Sequence, residues 1–175
     1  MSNISRRTVA KGAAWSVPVI AVGAAAPAYA VSGGIFQLNG NGCKLPGNSN
    51  STFKGYAFKL SAVNNTNADI TITIDAIDLN GDDLGMVVFV DFDGAGNCEV
   101  LGTDTLTIPA NTPLNNLAVL TENAASSANG TLTVTYTILG GATVTVTAAV
   151  DAAPPINGAS CNVFTEAQKD CLATV

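Results

Sequence analysis

The sequence predicts an all-β fold: an antiparallel sandwich of seven to nine strands, followed by a short C-terminal helix. Apolar residues alternate strictly with threonine at 70–74, 132–138 and 143–147. A period of two turns the apolar residues toward a core and the threonines toward water. Clusters of Gly, Pro, Asn and Asp separate such segments at short intervals, with no helical pattern between them. That spacing favours an antiparallel sandwich over a parallel sheet with crossover helices.

Further strands are predicted from less regular segments. The segment at 86–92, MVVFVDF, is almost wholly apolar and is typical of a central strand. The remaining predicted strands are a first one near 35–38 and four more at 55–63, 97–101, 104–108 and 116–121.

The register of the last hairpin is also predicted. A two-residue turn would set the apolar face of one strand against the threonine face of the other. A three-residue loop at 140–142 would set Ile138 opposite Val144 and Tyr136 opposite Val146. Because a one-residue slip exchanges the faces, burial favours the three-residue loop.

The segment 152–175 is predicted to be a separate C-terminal tail. Pro154 and Pro155 break the last strand, and Thr165 with Gln168 has the spacing of a helix capping box. We therefore expect a helix over about 166–172.

The first thirty residues have the layout of an export signal: a basic start, a weakly apolar middle and a small-x-small cleavage site. The signal motif comprises Ser5, Arg6, Arg7 and Lys11, and the cleavage site comprises Ala28 and Ala30. The SRRTVAK segment resembles the twin-arginine motif, which implies recognition by the export machinery and export of a folded chain. General secretion is the alternative.

Cleavage after Ala30 would leave 145 residues, with a sandwich domain at 31–151 and the tail at 152–175. Three of the 7 basic residues lie in the leader and all 13 acidic residues lie beyond it, so the net charge changes from −6 to −9. Nucleic acid is excluded as an expected partner, because phosphate binding needs a basic surface.

The chain has no histidine. Serine or cysteine triads that use histidine, and histidine-ligated zinc, are therefore absent. We expect a protein that is not an enzyme. Asp75, Asp91 and Glu99 could serve as paired carboxylates for glycoside hydrolysis only if the fold brought them together.

Cys43, Cys98, Cys161 and Cys171 are an even set, which in an exported chain predicts two disulfides. Three connectivities remain open, of which Cys161–Cys171 with Cys43–Cys98 is preferred because the first pair is close in sequence. A four-thiolate metal site is the competing interpretation.

Two acidic loops are the candidate metal sites, at 78–83 and 91–97. Oxygen ligands at alternate positions around a glycine turn suit a weak Ca²⁺ site. The candidate ligands are Asp78, Asn80, Asp82, Asp91 and Asp93. Asp and Asn are also ordinary turn residues, because their side chains bond the local backbone.

The threonine rows could present a regular surface to a carbohydrate or another repeating ligand, or could simply be a solvated strand face.

The order of strands and turns resembles the immunoglobulin-like sandwiches of bacterial surface and secreted proteins. Leader and domain together resemble small exported proteins of actinobacterial type. The resemblance implies a secreted or surface-located structural or interaction module, with a cell-surface protein or glycan as partner. Trp15, the only tryptophan, lies in the leader, so the core tryptophan of antibody-type domains is missing. The alternative function is a module that binds Ca²⁺ or carbohydrate through loops 78–83 and 91–97.

Overall fold

The computed structural model describes residues 35–47 and 52–175. The predicted signal motif and cleavage site lie outside the described residues.

Ten strands and one helix follow one another along the described chain. Their bounds are β1 Phe36–Lys44, β2 Tyr56–Val63, β3 Ile70–Leu79, β4 Asp82–Asp83, β5 Val87–Phe92, β6 Cys98–Thr103, β7 Thr105–Ile108, β8 Pro113–Thr121, β9 Gly130–Ile138, β10 Thr143–Val150 and α1 Glu166–Leu172.

The strands form two antiparallel sheets, so the predicted all-β fold is confirmed. Sheet I has the order β1-β2-β8-β5-β6, and sheet II has the order β10-β9-β3-β4, with β7 also paired to β3. Every predicted strand is present, although β1 ends six residues and β3 five residues later than expected, and the two-residue β4 is additional.

The main core lies between the two sheets and contains the inward members of the alternating segments. Tyr136 and Ile72 are fully buried from sheet II, as is Phe89 from sheet I. The ring of Phe36 contacts both Phe89 and Tyr136, with centroids 5.8 and 5.0 Å apart. The period-two pattern therefore assigned Ile72 and Tyr136 to the correct face.

A second apolar cluster lies on the outer face of sheet I, under the C-terminal tail. Val88 and Val90 of β5 point into it, together with Ile156 and Phe164 of the tail. Phe164 packs on Phe92 with ring centroids 6.0 Å apart. Sheet I is thus covered on both faces, which explains why β5 is apolar at nearly every position.

The preferred disulfide pairing was wrong. The bonds join Cys43 to Cys161 and Cys98 to Cys171, with Cα–Cα distances of 5.9 and 6.1 Å. Cys43 lies on β1 and Cys98 on β6, which are the opposite edges of sheet I. Four strand spacings separate those edges, about 19 Å, far beyond the reach of a disulfide. The tail crosses the sheet, and each edge bonds the tail cysteine that lies over it.

The hairpin between β9 and β10 has the predicted loop length but a different register. Tyr136 pairs with Val144 rather than Val146, and the loop comprises residues 139–141. Both registers keep apolar residues opposite apolar residues, so burial does not distinguish them. The geometry of the turn fixes the register, because Gly140 has φ +73° and the Gly141 N–H donates to Ile138 O at 2.8 Å.

The predicted helix is confirmed, together with its capping box. The Thr165 hydroxyl accepts from Gln168 N at 3.3 Å, and Gln168 Oε1 accepts from Thr165 N at 3.0 Å. Lys169 is largely buried and pairs with Glu166 at 2.8 Å.

Candidate functional site

The loop at 78–83 is a turn that is fastened to the segment 126–131. Asp78 Oδ1 accepts from Gly81 N at 3.1 Å. The Asn80 side chain donates to Asn129 O at 2.6 Å and accepts from Thr131 N at 2.9 Å. Its amide therefore closes the loop onto the start of β9.

Asp82 completes this attachment. Its Oδ2 accepts from both the hydroxyl and the backbone N–H of Ser126, the latter at 2.8 Å. These two hydrogen bonds hold the pKa of Asp82 below its usual value, and the bond from the Ser126 hydroxyl has the larger effect. The candidate ligand oxygens of this loop thus bond protein donors.

The loop at 91–97 is organised by Asp93. Its Oδ1 accepts from the backbone N–H groups of Ala95 and Asn97, both at 2.9 Å, and Oδ2 accepts from Asn97 Nδ2 at 2.8 Å. These hydrogen bonds lower the pKa of Asp93, and the bond from the Asn97 side chain has the largest effect. An aspartate that bonds the backbone two to four residues ahead is a local turn device.

Asp91 has a different environment, on β5 opposite Glu99 of β6. Burial raises the pKa of the Asp91 carboxyl, and the neighbouring Glu99 raises it further, while the Phe92 N–H opposes the shift. Both acids line a shallow cavity of about 190 Å³ with Asp93.

The candidate ligands are divided between two loops, whereas a calcium site needs six or more oxygens at one place. Loop 78–83 belongs to sheet II and loop 91–97 to sheet I. Across residues 35–47 and 52–175, no group of three or more His, Cys, Asp or Glu is placed to hold a metal ion. The calcium site stays a prediction that a titration can decide.

The turn interpretation predicts that calcium leaves the melting temperature unchanged. A site with a Kd of about 0.1 mM would add about 2.7 kcal/mol of stability at about 10 mM Ca²⁺. Scanning calorimetry of the chain in Ca²⁺ and in Mg²⁺ measures this. A rise that is specific to Ca²⁺ and is lost in Asp78→Asn or Asp93→Asn would contradict the turn interpretation.

The three carboxylates considered for glycoside hydrolysis are not brought together. Asp91 and Glu99 face each other on sheet I, whereas Asp75 lies on sheet II. Asp75 Oδ2 accepts from the Thr137 hydroxyl at 2.7 Å. Asp75 is therefore not a partner for an acid pair with Asp91 or Glu99.

The threonines form a continuous surface on the outer face of sheet II, which we call the threonine face. One row crosses four strands in register, through Thr143, Thr137, Thr73 and Thr105. Hydroxyls of neighbouring strands bond one another in the pairs Thr137–Thr143 at 2.8 Å, Thr71–Thr107 at 3.0 Å and Thr135–Thr145 at 3.1 Å.

The sequence predicted the threonine rows of β3, β9 and β10 but missed the contribution of β7. Thr105 and Thr107 alternate with Leu106 and Ile108, which are fully buried. The alternation of this four-residue strand was the available signal, but its place beside β3 depends on sheet topology.

No protein-family model matches the chain, and no curated protein sequence matches it. In the described part of the chain, no helix has both the length and the apolar character needed to cross a membrane.

Proposed function

We propose that the chain is an exported, non-catalytic, immunoglobulin-like sandwich that acts as a structural or interaction module at or outside the cell surface. The observation that supports this proposal is the difference between the outer faces of the two sheets. The tail and two disulfides cover the outer face of sheet I, whereas no other element among residues 35–47 and 52–175 covers the outer face of sheet II, which presents threonine hydroxyls.

The two disulfides support a location outside the cytoplasm. Such bonds persist in oxidising compartments, and both bonds here hold the tail against the sheet. The −6 charge of the whole chain disfavours binding to nucleic acid, so a protein or glycan partner fits better.

The strand order supports the immunoglobulin-like assignment. The order β1-β2-β8-β5 in sheet I corresponds to the ABED sheet of such domains, and β10-β9-β3 in sheet II corresponds to the GFC sheet. On this correspondence, β6 and β7 are an insertion between strands D and E, and β4 follows strand C.

The threonine face supports an interaction role. Its hydroxyls both donate and accept hydrogen bonds, and they stand on four strands rather than in a cleft. Such a surface suits contact with an extended partner. The acidic loops carry no comparable argument for calcium, because Asp82 and Asp93 already bond protein donors.

The export part of the proposal is tested by a double Arg6→Lys, Arg7→Lys substitution. We expect the unaltered chain in the medium or on washed cells and the double variant inside the cell, because a receptor reads the arginine pair. Cell fractionation with antibody detection measures the distribution. Asn3→Ala, in the leader but outside the motif, is the control. Unchanged export of the double variant would contradict twin-arginine export.

A further inference from the structure

Strand β10 is a long sheet edge without the usual protection against pairing. Its sequence, TVTVTAAV, contains no charge and no proline. All eight residues pair with β9 in an unbroken register. Within the described ranges, no strand pairs with the opposite side of β10. The edge meets β1 at its C-terminal end, where Gly40 lies against the carbonyl of Ala149.

The other sheet margins of the described chain are all irregular, short or charged. The ladder of β1 is interrupted between Leu38 and Gly42, and β6 is irregular opposite β5 and carries Glu99. Strand β4 consists of Asp82–Asp83, and β7 has four residues and ends before Pro109. Proteins protect sheet edges by these features, and β10 lacks them.

The backbone groups that face outward from β10 belong to its threonines. Ile138 N donates to Ala142 O at 3.2 Å, so the first pair of the hairpin is hydrogen-bonded. Antiparallel pairs alternate between hydrogen-bonded and non-bonded, so the non-bonded residues point their N–H and C=O groups away from β9. Those residues at the open part of the edge are Thr143, Thr145 and Thr147.

We propose that β10 pairs antiparallel with β10 of a second copy of this chain, about a two-fold axis at Thr145. This inference rests on the interaction role proposed above and names the partner. In this register, Thr143 faces Thr147 of the second copy and Val144 faces its Val146. The three threonine pairs exchange about six backbone hydrogen bonds.

The sequence of β10 is compatible with antiparallel pairing to itself, which is why we choose a second copy of the chain as the partner. A two-fold axis matches threonine with threonine on the exposed face and valine with valine on the core face, where Val144 and Val146 are only half-buried. No charges oppose one another across the paired span. A two-fold contact closes on itself, so the product is a dimer rather than a fibre. It joins two copies of sheet II into one continuous sheet and extends the threonine face.

Sedimentation equilibrium of the full chain tests this. We expect a dimer for the unaltered chain. Thr145 is exposed, so Thr145→Lys or Thr145→Glu leaves the fold intact but sets like charges opposite each other at the axis. Each variant is expected to raise the dimer Kd at least tenfold. An equimolar mixture of the two is expected to restore dimers, now salt-sensitive.

Thr107→Lys is the matched control, because Thr107 is exposed at the far margin of the same face and its hydroxyl also bonds a neighbouring threonine. It should leave the dimer unchanged. A monomeric unaltered chain, equal loss from Thr107→Lys, or no restoration in the mixture would overturn the proposal. Circular dichroism of every variant checks its fold. Retention of the chain inside the cell would contradict the export proposal but would not change the sedimentation results.

Discussion

Removal of the Cys43–Cys161 disulfide by Cys43→Ala with Cys161→Ala is expected to lower the free energy of unfolding by about 4–5 kcal/mol. The bond closes a loop with a sequence separation of 118, so its loss restores much conformational freedom to the unfolded chain. Both cysteines are fully buried, so the alanines also leave a small cavity. Guanidinium unfolding at one fixed protein concentration measures the change.

The paired substitution Cys98→Ala with Cys171→Ala is the comparison for this prediction. Its loop separation is 73, so loop closure alone predicts a loss that is smaller by a few tenths of a kcal/mol. A loss below about 1 kcal/mol for the Cys43–Cys161 pair would show that apolar packing holds the tail without it.

The disulfides matter because the tail has little regular structure of its own. Its only helix has seven residues, too few to be stable in isolation. Apolar contacts hold the rest, with Phe164 on Phe92 as the aromatic example. Cross-links at both edges of sheet I keep this cover in register, and the cover lets sheet I bury a second apolar face.

The strands and the helix could be predicted from sequence because their signals are local. Alternation identified β3, β9 and β10, and the Thr165–Gln168 spacing identified α1. The disulfide pairing could not be predicted in this way, since it depends on which strands become the edges of sheet I. A usable signal was present in β5, whose apolar run Val87–Val90 showed that both faces of that sheet would be covered.

The candidate site was less predictable, because an aspartate in a turn and an aspartate in a calcium loop share the same local sequence. The difference lies in donors that the fold brings from elsewhere. Ser126 and Thr131 reach Asp82 and Asn80 from more than forty positions away. Likewise, the position of β10 at the margin of sheet II depends on the strand order, which the sequence does not reveal. The absence of charged residues in β10 is visible in the sequence.

Thr121 supplies the second large effect that we expect. The residue is fully buried at the end of β8. Its hydroxyl accepts from Tyr56 N at 2.8 Å and donates to Asn123 O at 2.9 Å, which joins the start of β2 to the chain after β8. Thr121→Val keeps the side-chain shape but removes both bonds. Two backbone groups would then lose their partner, at about 1–3 kcal/mol each.

We therefore expect Thr121→Val to lower the free energy of unfolding by about 2–6 kcal/mol, measured by the same guanidinium unfolding. The matched control is Thr105→Val, since Thr105 is exposed on the threonine face and the same substitution there should change stability by less than about 0.5 kcal/mol. The comparison separates the loss of buried hydrogen bonds from any general effect of replacing threonine with valine in a strand. Equal changes at the two positions would mean that water or a shifted backbone satisfies the Tyr56 and Asn123 groups. The junction between β2 and β8 would then owe its stability to apolar packing alone.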